Sequence, residues 1–131
     1  MSERATASFD ITTWDEQPYD ERDGVKLSRT RVVKVFRGEI EGESTAELLM
    51  ALAGEDSAAY VGVERVTGRV NGRQGSFVYL HTATAAGGSQ SASWPVMAGS
   101  GTGELAGISG HIRIDNLPAG GHVFTLDYEL G

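Results

Sequence analysis

Residues 71 and 72 are Asn-Gly, set between two segments of alternating polarity, Tyr60 to Val70 and Arg73 to Ala83. A two-residue type I′ turn needs positive φ at both central positions, and Asn-Gly meets that need with the least steric strain. The pair therefore predicts an antiparallel hairpin and also fixes its register. Val70 faces Arg73, and counting outward sets Val66 opposite Phe77, Glu64 opposite Tyr79 and Gly62 opposite His81. Side chains on a strand alternate between faces, so Tyr60, Glu64, Val66, Phe77, Tyr79 and His81 share one. The other face carries Val61, Val63, Val78 and Leu80 among Arg65, Thr67, Arg69, Gln74, Ser76 and Thr82. An aromatic face with one carboxylate and one imidazole belongs inside; a face dotted with charge belongs outside or at a rim.

Alternation recurs along the chain. Arg4 to Trp14 has Phe9 and Ile11 set against Ser8, Asp10 and Thr12, the pattern of a half-buried strand. Asp15 to Gly24 is polar and contains Pro18, which reads as a loop. Val25 to Arg37 is a second strand, closed by Gly38. Leu105 to Asp115 and His122 to Leu130 read as another hairpin, joined by Asn-Leu-Pro-Ala-Gly-Gly. Ser89 to Met97 is a weaker strand around Trp94, with Pro95 marking an edge or bulge. The 18 glycines among 131 residues are about twice the usual share and are not periodic, which suits turn-rich β structure rather than collagen.

One segment gives two readings. Ser44-Thr-Ala-Glu47 is a capping-box pattern ahead of Leu48 to Ala53 and Gly54, so local propensity favours a helix. Yet Ile40, Gly42, Ser44, Ala46, Leu48 and Met50 fall on one parity, which continues a strand from Glu39. Either way, at this length the chain is read as one domain spanning residues 1–131. It is all-β, a single antiparallel barrel of about eight strands. Closure removes exposed sheet edges and leaves an interior able to hold a small ligand.

The formal net charge of −7 disfavours nucleic acid and anionic membrane surfaces as partners. No apolar run approaches the ~20 residues of a membrane span, and the start Met-Ser-Glu-Arg-Ala carries no signal-peptide pattern. The expectation is a cytoplasmic protein. Cysteine is absent, so disulfides, thiolate nucleophiles and Cys-ligated zinc are excluded.

Phe9-x-Ile11-x-x-Trp14-Asp15, Phe36-x-Gly38-Glu39-Ile40-x-Gly42-x-Ser44, Tyr60-x-Gly62-x-Glu64, Gly75-Ser76-Phe77 and the run Ser100 to Gly110 occur in that order across nearly the whole chain. Together they resemble a bacterial family known only as a domain of unknown function (number 3224). That family is associated with the allene-oxide-cyclase-like barrel, a relative of lipocalin-type calycins. The resemblance implies a calycin-like barrel and favours strand for most of residues 39–53. It implies no reaction, and no working residue is carried over from it, since fold alone is a weak guide to chemistry.

The inward register makes Glu64 and His81 the candidate catalytic pair, a general acid and base whose pKa values burial would move toward neutrality. The alternatives are a structural polar network that includes Tyr79, or a register slip that exposes both. Tyr60, Phe77, Tyr79 and Trp94 are the candidate ligand wall, joined by Glu104 because it shares parity with Ile108 and Ile112. Gly99-Ser-Gly-Thr-Gly103 lacks the Lys-Ser/Thr ending of a phosphate loop and reads as a turn or bulge. His81, His111 and His122 show no metal-ligand spacing, so no metal and no cofactor is expected. Trp14 is read as a core or mouth residue.

These features predict a small-molecule-binding barrel with an apolar or aromatic interior. The alternatives are a cofactor-free isomerase or cyclase acting on a hydrophobic substrate inside the barrel, and a packed barrel acting through homo-oligomerisation. An interior pocket of a few hundred Å³ separates the first two from the third.

Overall fold

A computed structural model describes residues 2–131. The strands are β1 (Glu3–Arg22), β2 (Val25–Gly38), β3 (Ile40–Ala53), β4 (Ser57–Val70), β5 (Arg73–Ala86), β6 (Ser89–Ser93), β7 (Ile108–Asn116) and β8 (His122–Leu130). They form one antiparallel meander in the order β6-β5-β4-β3-β2-β1-β8-β7. Trp94 to Met97 closes it into a barrel. On one side Leu80 N–H donates to Pro95 O (2.9 Å) and Met97 N–H to Val78 O (2.8 Å). On the other, Val96 N–H donates to Gly110 O (2.9 Å) and Ile112 N–H to Trp94 O (2.8 Å).

The β4–β5 register is the one the Asn-Gly turn requires: Val70 pairs with Arg73, Glu64 with Tyr79 and Gly62 with His81. Asn71 (φ 48°) and Gly72 (φ 81°) supply the two positive φ angles. Gly42 and Gly68 pair across β3 and β4 with φ of 145° and 155°. A Cβ on Gly68 would stand 1.9 Å from Glu41 O, so only glycine lets these strands bend around the wall at this point.

One sequence expectation is corrected and one ambiguity is resolved. Asp15 to Arg22 is not a loop but the far half of β1, paired with β2 down to Arg22 and Val25. Acid stands opposite base along this ladder, Asp15 facing Arg31 and Glu21 facing Lys26, and cross-strand charge pairs replace apolar alternation as the strand signal. β8 pairs with β1 only as far as Phe9, so beyond it β1 is an edge, where the missing N–H of Pro18 is tolerated. The turn is Asp23-Gly24, with φ of 54° and 79°, a second hairpin signal of the Asn-Gly kind. The capping box does not make a helix either. Residues 40–53 are β3, hydrogen-bonded to β2 and β4 along the strand, and this pairing outweighs local propensity, in agreement with the family resemblance.

The barrel is filled at one end. Phe36, Phe77, Tyr79, Phe124, Leu126 and Tyr128 are buried there together, with Leu105 and Ile108 beneath. Leu105 closes a short 3-10 turn, Gly103–Leu105, so β7 begins at Ile108 rather than at Leu105. At the other end β1 to β5 run on past the short β7 and β8, and their inward side chains enclose space.

Candidate functional site

The interior changes character at the level of Glu64. Its carboxylate is fully buried, and three donors from three strands converge on it. Lys34 Nζ on β2 donates to Oε1 at 3.1 Å, His81 Nε2 on β5 to the same oxygen at 2.8 Å, and Ser44 Oγ on β3 to Oε2 at 2.5 Å. Lys34 and His81 are themselves nearly buried, at 8% and 4% exposure. Lys34 Nζ also lies 4.6 Å from the centre of the Phe9 ring, whose π face favours a cation.

Burial by itself would raise the Glu64 carboxyl. The His81 hydrogen bond, the Lys34 charge and the Ser44 hydroxyl outweigh it and hold the group down at about 2. Glu64 is thus ionised and accepts only, which requires His81 Nε2 to carry the proton. The direction is opposite to the one expected from burial alone: the Glu64 carboxyl moves away from neutrality, not toward it. Tyr79 is affected in the opposite sense. Burial and then the neighbouring Glu64 charge push its phenol well above the usual range, and its hydroxyl makes no hydrogen bond, although the carboxylate is close enough to act on it.

Above this ion pair lies a cavity of about 260 Å³. Phe9, Trp14, Leu48, Met50, Tyr60 and Trp94 form its apolar wall; Lys34, Glu64 and His81 form its polar floor. His122 stacks on Phe9 at 4.8 Å and bonds Asn116 through Nδ1, and both line the β7–β8 side. Trp14 reaches the interior because of an extra residue. The β1–β2 register shifts between Ile11 and Thr13, so Ile11 and Trp14 both face inward where strict alternation would turn Trp14 out.

The residues expected from sequence are thus divided. Glu64, His81, Tyr60 and Trp94 come together around the cavity. Phe77 and Tyr79 share their face, but are packed in the filled core below and do not line it. Glu104 does not point inward. It is exposed on the 3-10 turn, where its carboxylate accepts the Gln74 N–H at 3.1 Å. Lys34 and Ser44 were missed as site residues. The available signal was parity: Lys34 sits two positions from Phe36 on β2, and Ser44 belongs to the inward series of β3. Among the described residues no group of three His, Asp or Glu is placed to hold a metal ion, and no helix is long and apolar enough to cross a membrane.

The family described as "Protein of unknown function (DUF3224)" matches residues 5–128. The crystal structure of a protein of unknown function from that family, from Shewanella oneidensis MR-1, is 33% identical to this chain. The match covers 100% of this chain and 98% of that one, with a TM-score of 0.87. No curated protein matches.

Proposed function

The chain belongs to the DUF3224 family, and we propose that it is a small-molecule-binding β-barrel that takes an apolar or aromatic ligand into the cavity above Glu64. The cavity itself carries this reading: about 260 Å³ of space walled by Trp14, Met50, Tyr60 and Trp94 over the buried Glu64 cluster. Binding sites are commonly of this kind, mostly apolar with a few fixed polar groups, and this volume lies just below their usual range. Tyr60 and Trp94 are the ligand contacts, and Glu64 with His81 and Lys34 is the floor that orients the bound molecule. The enzyme reading is weaker. A carboxylate held at about 2 and already bonded three times is a poor general base at neutral pH.

Native mass spectrometry of gently purified protein, together with calorimetric titration using 2-naphthol, tests this. A co-purifying mass or saturable 1:1 binding that Trp94→Ala weakens is expected. Neither an adduct nor saturable binding of any neutral apolar probe would overturn it.

A further inference from the structure

The inner cavity does not end at Trp94. Tyr60, Met50 and Trp94 also line a second cavity of about 250 Å³, further toward the strand ends. Its wall follows from the register. Met50, Tyr60, Ala83 and Ala92 form one row across β3 to β6, and Leu52, Ala58, Ala85 and Gln90 form the next. All lie on the inward parity, and half of them are alanines. Small side chains on four adjacent strands leave a shallow apolar trough leading away from the ion pair.

The two compartments differ in chemistry. At Glu64 and Lys34 the inner floor offers protons rather than lone pairs. Glu64 Oε1 and Oε2 are both occupied, while Lys34 has three N–H groups and gives one to Glu64. The charge of Lys34 is already matched by Glu64 at 3.1 Å, so an incoming anion would meet a carboxylate with no spare cation among these groups. Beyond Tyr60 and Trp94, which it shares with the inner cavity, the outer trough offers only Gln90, Thr84 and Ser91 as polar side chains among its alanines, Leu52 and Met50.

We infer that the ligand is a single elongated, uncharged molecule spanning both cavities. Its carbonyl-type oxygen lies at Lys34, and its aliphatic tail passes Tyr60 and Trp94 onto the alanine trough. The inference rests on the binding function proposed above and adds the class of ligand. Continuity selects the occupant: three residues are common to both cavities, so a chain that outgrows the inner one passes directly into the outer.

The test is a homologous series of 2-alkanones, from 2-hexanone to 2-tetradecanone, titrated calorimetrically into the full chain. Affinity is expected to rise about fourfold per methylene, the equivalent of ~0.8 kcal/mol for each buried CH₂, and to level off once both cavities are filled. Ala85→Leu, which blocks the trough and leaves the inner lining untouched, should erase the gain of the long members and leave 2-hexanone unchanged. Ala58→Leu, on the facing strand, should do the same and guards against one variant misfolding. Long members that bind equally to wild type and to both folded variants would overturn the inference while leaving the binding function standing. Failure of every alkanone, short ones included, would overturn both. Alkanoates of matched length should bind several-fold more weakly, and equal or tighter binding would overturn the uncharged head group.

Discussion

The two ends of the barrel share strands and alternation, yet one is solid and the other hollow. At the solid end, β1 to β5, β7 and β8 all contribute inward side chains at each level, and Phe36, Phe77, Phe124 and Tyr128 meet in the middle. At the hollow end β7 and β8 stop at Asn116 and His122, so β1 to β5 run on beyond them with no opposite wall, and there their inward positions carry Ala58, Ala83 and Ala85. The ion pair of Lys34 and Glu64 marks the boundary. Hollowness here comes from unequal strand length and small side chains, not from a different kind of strand.

The comparison is tested most severely by matched truncations. Phe77→Ala removes a ring with no exposure from the solid end, and a loss of about 3–5 kcal/mol in unfolding free energy is expected. Denaturant titration measures it. A loss below about 1 kcal/mol would mean the solid end is loosely packed after all. At the boundary, Glu64→Leu should cost nearly as much, about 3–5 kcal/mol, because Lys34 is left buried without its counter-charge. Adding Lys34→Met should restore only part of this, since Ser44 Oγ and His81 Nε2 still lack an acceptor. If the double variant is no better than the single one, the pair does not act as a unit.

The solid end was largely legible in the sequence, and the boundary only in part. Asn71-Gly72 set the β4–β5 register, and with it the inward placement of Glu64, Phe77, Tyr79 and His81, because a two-residue turn leaves no freedom in the count. Nothing comparable tied β2 to β4, so the approach of Lys34 to Glu64 across two strands was not derivable from local pattern. The far half of β1 was misread because its strand-forming partners are charges on β2 rather than apolar neighbours of its own. Capping-box residues Ser44 and Glu47 pointed locally to a helix for a related reason. Propensity sees only nearest neighbours, while β3 is bonded along both edges. Trp14 depended on a bulge, and a bulge leaves no mark in the polarity pattern.

Acid should sharpen the contrast. The Glu64 carboxyl falls from an ordinary value of 4.5 to about 2 in the fold. A depressed carboxyl stabilises the folded state fully above its unfolded value, and the contribution is lost as pH falls through the folded one. From Glu64 this amounts to about 3 kcal/mol, present at pH 5 and above and lost progressively between about pH 4.5 and 2. Urea midpoints of the wild type should therefore drop over that window more steeply than those of Glu64→Leu. Parallel curves would show that the buried carboxylate is not the titrating group that matters.

The smallest effect on stability is expected at the mouth. Trp14 is 51% exposed on a stretch of β1 with no β8 neighbour, and its indole meets the cavity rather than a filled core. Trp14→Ala should cost less than about 1 kcal/mol, against the several expected for Phe77→Ala, although tryptophan is the larger side chain. What it removes is one aromatic wall of the site. An aromatic contact is worth about 0.5–1.5 kcal/mol beyond area burial, so 2-naphthol should bind roughly twofold to tenfold more weakly. The two readouts then move in opposite order: Phe77→Ala changes stability most, and Trp14→Ala changes affinity at nearly constant stability. If Trp14→Ala instead unfolds the protein as readily as Phe77→Ala does, the open end is held together by its own packing, and the space above Glu64 is a defect in a core rather than a place for a ligand.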